Sequence, residues 1–164
     1  MADWYVDADA GDDTSGDGTS WGTAWASLTH LFATVPTPSG VDLIVYVKGT
    51  QSIPETGWVV AAANQPWSWR WVLVAVDGAS IVKTGKPWFA AARNGMAFSQ
   101  FGIVRNYAPA TTSGFPTGLK DASFVDCSFS VDAASVAGYD GATGTCLYHN
   151  CVFNENISLY TNGV

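Results

Sequence analysis

Short apolar β segments recur along this chain at a nearly constant interval with no helix between them, and that spacing limits the fold more than any other feature. The clearest are Ile44–Val47, Val72–Val76, Phe98–Val104, Phe124–Phe129 and Tyr148–Phe153. Taken from Ile44, Val72, Phe98, Phe124 and Tyr148, the starts lie 28, 26, 26 and 24 residues apart. Similar strands at a steady period are what stacked solenoid layers produce. The rival all-β architecture, an antiparallel sandwich, shows turn signals every ~8–12 residues. The longer interval favours stacked parallel strands.

Two of these segments align residue by residue. Phe124-Val125-Asp126-Cys127-Ser128-Phe129-Ser130 matches Tyr148-His149-Asn150-Cys151-Val152-Phe153-Asn154, and Phe98-Ser99-Gln100-Phe101-Gly102-Ile103 fits the same frame. The register predicts one inward row of Phe101, Cys127 and Cys151 and another of Ile103, Phe129 and Phe153. Gln100, Asp126 and Asn150 form a polar row, the type of side-chain ladder that stacked strands favour.

The first 20 residues read as a short strand, Trp4-Tyr5-Val6, and an acidic turn region rich in Gly and Asp, residue types that tolerate turn geometry. Trp21, Ala24, Trp25, Leu28, Leu31, Phe32 and Val35 then fall at spacings of three and four, which predicts one amphipathic helix. Thr23 or Ser20 can cap its start, and Pro36-Thr37-Pro38-Ser39-Gly40 ends it. The expected organisation is a single domain over 1–164, with strand, acidic turn and capping helix in 1–40 and coils in 41–164.

Tyr5-Val6-Asp7, Gly11-Asp12-Asp13, Gly18-Thr19, Ala24-Trp25-Ala26-Ser27-Leu28 and Leu43-Ile44-Val45-Tyr46-Val47-Lys48-Gly49 together resemble the N-terminal part of pectate-lyase-like β-helix proteins. The resemblance is strongest over 4–49 and looser through the later segments. It implies an all-β fold: a short right-handed parallel β-helix of about five coils with one N-terminal capping α-helix. Members of that superfamily include polysaccharide lyases, glycoside hydrolases, tailspikes and non-enzymatic virion proteins, so the resemblance speaks to fold more than to activity. With layers ~4.8 Å apart, about five coils rise only about 25 Å, which leaves little room for a substrate groove.

Charge narrows the partners. The 164 residues carry a formal charge of −7, with seven Lys plus Arg against fourteen acidic residues. The basic residues are scattered from Lys48 to Lys120, whereas phosphate-backbone binding draws on clustered cations. Nucleic acid is not an expected partner. Only 13% of the residues are charged, about half the usual share, which suggests that part of the surface is covered by another chain. The longest strongly apolar run near mid-chain, Trp71 to Val76, is far shorter than the roughly 20 residues of a spanning helix. Met1-Ala2-Asp3-Trp4 has neither the basic nor the apolar region of a signal peptide. No membrane span is expected, and without a signal peptide the chain either works where it is made, leaves by another route or has lost its signal.

No residue pattern announces catalysis. Arg93, Arg105 and Lys120 are the basic candidates for a lyase, against a role as solvated surface charges. A glycosidase needs two facing carboxylates; Asp132 and Glu155 are the nearest candidates in offset, and no second signal supports them. Asp7, Asp9, Asp12, Asp13 and Asp17 can ligate calcium in principle, but they do not fit an EF-hand loop, and turn formation is favoured. Cys127 and Cys151 fall in the inward row, where cysteine acts as a small hydrophobe; a Cys–His pair with His149 is the alternative. Three cysteines without a CxxC pair argue against a disulfide framework or zinc site, and reduced thiols are expected. No metal or cofactor is expected.

Tryptophan is the most unusual feature. Trp67, Trp69 and Trp71 alternate on one strand face, with Trp58 and Trp88 nearby in sequence. These five are the candidate interface or glycan-stacking residues, with burial in the first coils as the structural alternative. The expected function is a non-enzymatic structural virion protein of a tailed bacteriophage. A capsid decoration (cement) protein or small tail component fits, assembled in the host cytoplasm as a homotrimer against the major capsid protein or another virion protein. The alternative is a carbohydrate-binding or polysaccharide-cleaving module of the pectate-lyase-like type.

Overall fold

A computed structural model describes residues 3–35, 42–54, 56–59, 71–83, 93–94, 96–105, 119–120, 122–131, 137–140, 146–153 and 157–160. The chain opens with β1 (Asp3–Asp7), a 3-10 turn (Trp21–Thr23) and α1 (Leu28–Thr34). Then come β2 (Leu43–Lys48), β3 (Thr50–Ile53), β4 (Trp71–Ala75), β5 (Ser80–Lys83), β6 (Arg93–Asn94), β7 (Met96–Ser99) and β8 (Gly102–Arg105). The later strands are β9 (Leu119–Lys120), β10 (Ala122–Val125), β11 (Ser128–Val131), β12 (Ala137–Asp140), β13 (Cys146–His149), β14 (Val152–Phe153) and β15 (Ile157–Tyr160). The protein is therefore mostly β with one α-helix among the described residues.

Every strand pairing described is parallel. One sheet has the order β1-β2-β4-β7-β10-β13 and a second β3-β5-β8-β11-β14, while β6 pairs β9 and β12 pairs β15. The chain alternates between the two larger sheets, so each apolar segment predicted as one strand from Phe98 onward is two strands bent at a corner. The corners turn through left-handed backbone at Gly49 (φ 70°), Asp77 (φ 55°), Gly78 (φ 74°), Gln100 (φ 64°), Asp126 (φ 53°) and Asn150 (φ 51°). Asp and Asn tolerate that region because their short polar side chains bond locally. The predicted polar row forms at these corners, where Asn150 Nδ2 donates to Asp126 Oδ1 at 2.6 Å.

Two inner rows of side chains run the length of the core. Val45, Leu73, Phe98, Phe124 and Tyr148 are in register across the first sheet. Gln51, Ile81, Ile103, Phe129 and Phe153 are in register across the second. Parallel in-register pairing superimposes the rings: Phe98 on Phe124 at 5.0 Å, Phe124 on Tyr148 at 5.3 Å, and Phe129 on Phe153 at 4.9 Å, all within 10° of coplanar. Such pairs contribute about 0.5–1.5 kcal/mol each beyond the area they bury.

Two sequence expectations need correction. The interval from the second to the third segment is one residue shorter than the equal-start count, since Val72 pairs with Ala97 and Leu73 with Phe98. A one-residue slip moves a strand residue to the opposite face. Ile44 and Val72 consequently face outward, while Phe98, Phe124 and Tyr148 face inward.

The helix is also shorter than its apolar stripe. Trp25 is taken by β1: its N–H donates to Tyr5 O at 3.1 Å, and its carbonyl accepts from Asp7 N at 2.8 Å. That bridge forces extended backbone between the 3-10 turn and α1. The cap is Ser27, whose Oγ accepts from His30 N at 3.0 Å. The stripe keeps its role, with Ala24, Trp25, Leu28, Leu31, Phe32 and Val35 all buried. Pro36–Gly40, read as the helix stop, lies outside the described residues.

Gln51 fixes the helix to the sheets. It is the buried polar side chain among the described residues, sitting where the inner row would otherwise hold an aliphatic group. Its Oε1 accepts from Leu28 N at 3.0 Å and its Nε2 donates to Ala26 O at 3.2 Å. The first of these satisfies a backbone donor that a helix N-terminus leaves unpaired. No helix among the described residues is long and apolar enough to cross a membrane.

Candidate functional site

The tryptophans singled out from the sequence divide. Trp58 is fully buried with its ring 5.2 Å from Phe32, and Trp71, 8% exposed, meets the same phenyl edge-on at 5.1 Å. Trp71 is inward because its register partners are Leu43 and Met96, both core residues. These two indoles pack the interior beneath α1 and offer no ring to a glycan or partner. Trp67, Trp69 and Trp88 lie outside the described residues.

A different aromatic group faces outward. Tyr5 and Tyr46 are register partners on β1 and β2 and stack at 5.5 Å, with Trp21 edge-on to Tyr5 at 5.0 Å. Lys48 Nζ sits 4.3 Å above the Trp21 ring and 3.3 Å from Asp77 Oδ2. All three rings are half-buried. The sequence carried a faint signal for them, since Tyr46 alternates with the core residues Val45 and Val47. Trp21, by contrast, was assigned to the helix stripe.

The acidic turn is occupied by its own donors. Asp7 Oδ1 accepts from Asp9 N and Ala10 N, and Asp12 from Thr14 N and Ser15 Oγ. Asp13 reaches across to α1 and accepts from Ala26 N, Ser27 N and Ser27 Oγ at 2.6–3.1 Å. Asp17 accepts from Thr23 Oγ1 at 2.6 Å, Thr19 Oγ1 at 2.8 Å and Thr19 N at 3.0 Å. Among the described residues no His, Cys, Asp and Glu side chains gather into a metal-holding group.

The Thr23 hydroxyl, followed by the Thr19 amide and hydroxyl, holds the Asp17 carboxyl down at about 2. A carboxylate with a depressed native pKa adds stability above its unfolded value, here 3.8, and loses it as the pH falls through about 2. Asp17→Ala is therefore expected to lower the urea midpoint at pH 6, with the gap to wild type closing between pH 4 and 2. A gap that stays constant over that window contradicts the assignment.

The nucleophile alternative has no support at Cys127. Burial pushes its thiol up to about 11, and its Sγ donates to Val125 O at 3.3 Å and Phe98 O at 3.6 Å. A thiol rather than a thiolate is present at neutral pH, and only the thiolate is nucleophilic. His149 is exposed on β13.

Backbone register separates the lyase candidates. Arg93 pairs with Leu119, one residue from Lys120, whereas Arg105 lies on β8 opposite Lys83 and Val131. Asp132 and Glu155 fall outside the described residues.

The two ends of the stacked sheets differ. At the β1 end α1 lies over the core. At the other end the inner rows finish on half-buried Tyr148, Cys151 and Phe153. Beside them Leu147 is 64% exposed and Val152 62% exposed, on the last described strands of the two sheets. Comparison with protein-family models, curated proteins and solved structures finds no match.

Proposed function

We propose that this chain is a short right-handed parallel β-helix serving as a non-enzymatic structural component of a tailed-bacteriophage particle. Its place is that of a capsid decoration protein or small tail component, assembled as a homotrimer in the host cytoplasm. The β-helix reading is supported by alternation of the chain between two parallel sheets, one strand of each per repeat, and parallel crossovers are almost always right-handed.

The observation that carries the functional reading is the asymmetry of the two ends. One is covered by a helix, with Val59 exposed next to buried Trp58; the other has no such cover among the described residues and presents exposed Leu147 and Val152 around half-buried aromatic rows. Exposed apolar groups next to unpaired strand edges are features of surfaces that meet another chain. The carboxylates of Asp7, Asp12, Asp13 and Asp17 bond to turn and cap donors, and the Cys127 thiol is buried, which agrees with a role based on contacts.

The test is the double variant Leu147→Asp, Val152→Asp. Both side chains point to solvent, so the variant is expected to fold with an unchanged urea midpoint and to lose self-association and particle attachment. Unchanged assembly overturns this surface as the contact. Saturable release of new reducing ends or unsaturated products from a polysaccharide panel overturns the non-enzymatic reading.

The Tyr5–Tyr46–Trp21 group with Lys48 favours a second reading, a carbohydrate-binding module. Under that reading Tyr46→Ala and Trp21→Ala abolish glycan affinity and leave the oligomeric state intact.

A further inference from the structure

Cys127 and Cys151 occupy equivalent corners of consecutive layers, each directly after a left-handed residue, Asp126 or Asn150. Val152 N donates to Cys127 O at 2.9 Å and Asp126 N to His149 O at 3.0 Å, which holds the two corners one strand spacing apart. That spacing is ~4.8 Å, inside the roughly 4.4–6.8 Å Cα range that a disulfide spans. The thiols point the same way. Cys127 Sγ reaches Val125 O and, one layer back, Phe98 O; Cys151 Sγ reaches His149 O and, one layer back, Phe124 O. Both are free, one buried and one half-buried.

We propose that Cys127 and Cys151 are a latent interlayer disulfide pair, closed by a small-molecule disulfide such as oxidised glutathione. The more accessible Cys151 thiolate attacks one glutathione sulfur, releases one glutathione and carries the other as a mixed disulfide. Cys127 then attacks Cys151 Sγ, giving up its proton to solvent as the bond forms, and displaces the second glutathione. Two protein thiols lose two protons and two electrons, and one glutathione disulfide becomes two glutathiones. The bond ties the last two layers of both sheets together and closes a loop in the unfolded chain, which stabilises the native state by restricting the unfolded one. A chain kept reduced in a cytoplasm gains this link on reaching an oxidising medium.

The test treats the native full-length protein with oxidised glutathione, blocks the remaining thiols with iodoacetamide after unfolding, and reads intact mass and a peptide map. The expected product is a monomeric chain that carries a single carbamidomethyl group, on Cys146, and lacks two hydrogens, with a Cys127–Cys151 linked peptide and a higher urea midpoint that dithiothreitol reverses. Cys127→Ser is expected to stop at the glutathione adduct of Cys151. Wild type that stops at that adduct, stays unmodified, links Cys146 instead or cross-links between chains overturns the proposal.

Discussion

Phe124→Ala is expected to remove about 3–5 kcal/mol of stability, the usual cost of emptying a buried phenyl site. The ring lies flat between Phe98 and Tyr148, at 5.0 and 5.3 Å, and meets the edge of Phe129 at 5.3 Å. Its removal breaks one continuous stack in the middle and leaves a void that neighbouring backbones, fixed by ladder hydrogen bonds on both sides, cannot close. A domain is stable by only about 5–15 kcal/mol, so a shift of this size is read directly from urea unfolding. Phe153→Ala, at the half-buried end of the other row, is expected to cost less than half as much. Equal losses at the two sites, or a loss under about 1 kcal/mol at Phe124, contradict a core built from stacked rows.

Gln51→Leu is expected to destabilise by about 2–4 kcal/mol, because it strands a buried donor, at about 1–3 kcal/mol, and a part-buried acceptor, at less. Those groups are Leu28 N–H and Ala26 C=O. The expected sign is the informative part. Gln51 pairs in register with Ile81, so leucine fits the row by shape and by hydrophobicity. If Gln51 were merely a tolerated polar residue, the variant would be more stable than wild type. Loss of stability, together with faster amide exchange confined to α1, identifies it as the anchor of that helix; a stabilised variant removes that role.

Parallel stacking was legible because it repeats. Phe98, Phe124 and Tyr148 show the in-register rows at intervals of 26 and 24, and Asp126 over Asn150 was visible from the same alignment. Equal spacing, however, carries no information about face: the starts at Ile44 and Val72 are outward residues and those at Phe98, Phe124 and Tyr148 inward ones, because Leu73 rather than Val72 pairs with Phe98. The helix was over-extended for a related reason. Trp21, Ala24 and Trp25 keep three- and four-residue spacing with Leu28, but Trp25 hydrogen-bonds to β1, and a pairing between residues 20 positions apart leaves no local trace. Gln51 was invisible because Thr50-Gln51-Ser52-Ile53 has no apolar alternation to mark β3 as a strand. The outward group of Tyr5, Tyr46 and Trp21 exists only through the β1–β2 register, and the sequence drew attention instead to the dense tryptophans around Trp71, which turns inward.

Size-exclusion chromatography with light scattering on the purified protein tests the central proposal, a chain that works by symmetric association. A single species near three times the 17.3 kDa chain mass is expected, converting to a monomer in the Leu147→Asp, Val152→Asp variant. A wild-type protein that stays at 17.3 kDa across the whole concentration range contradicts it.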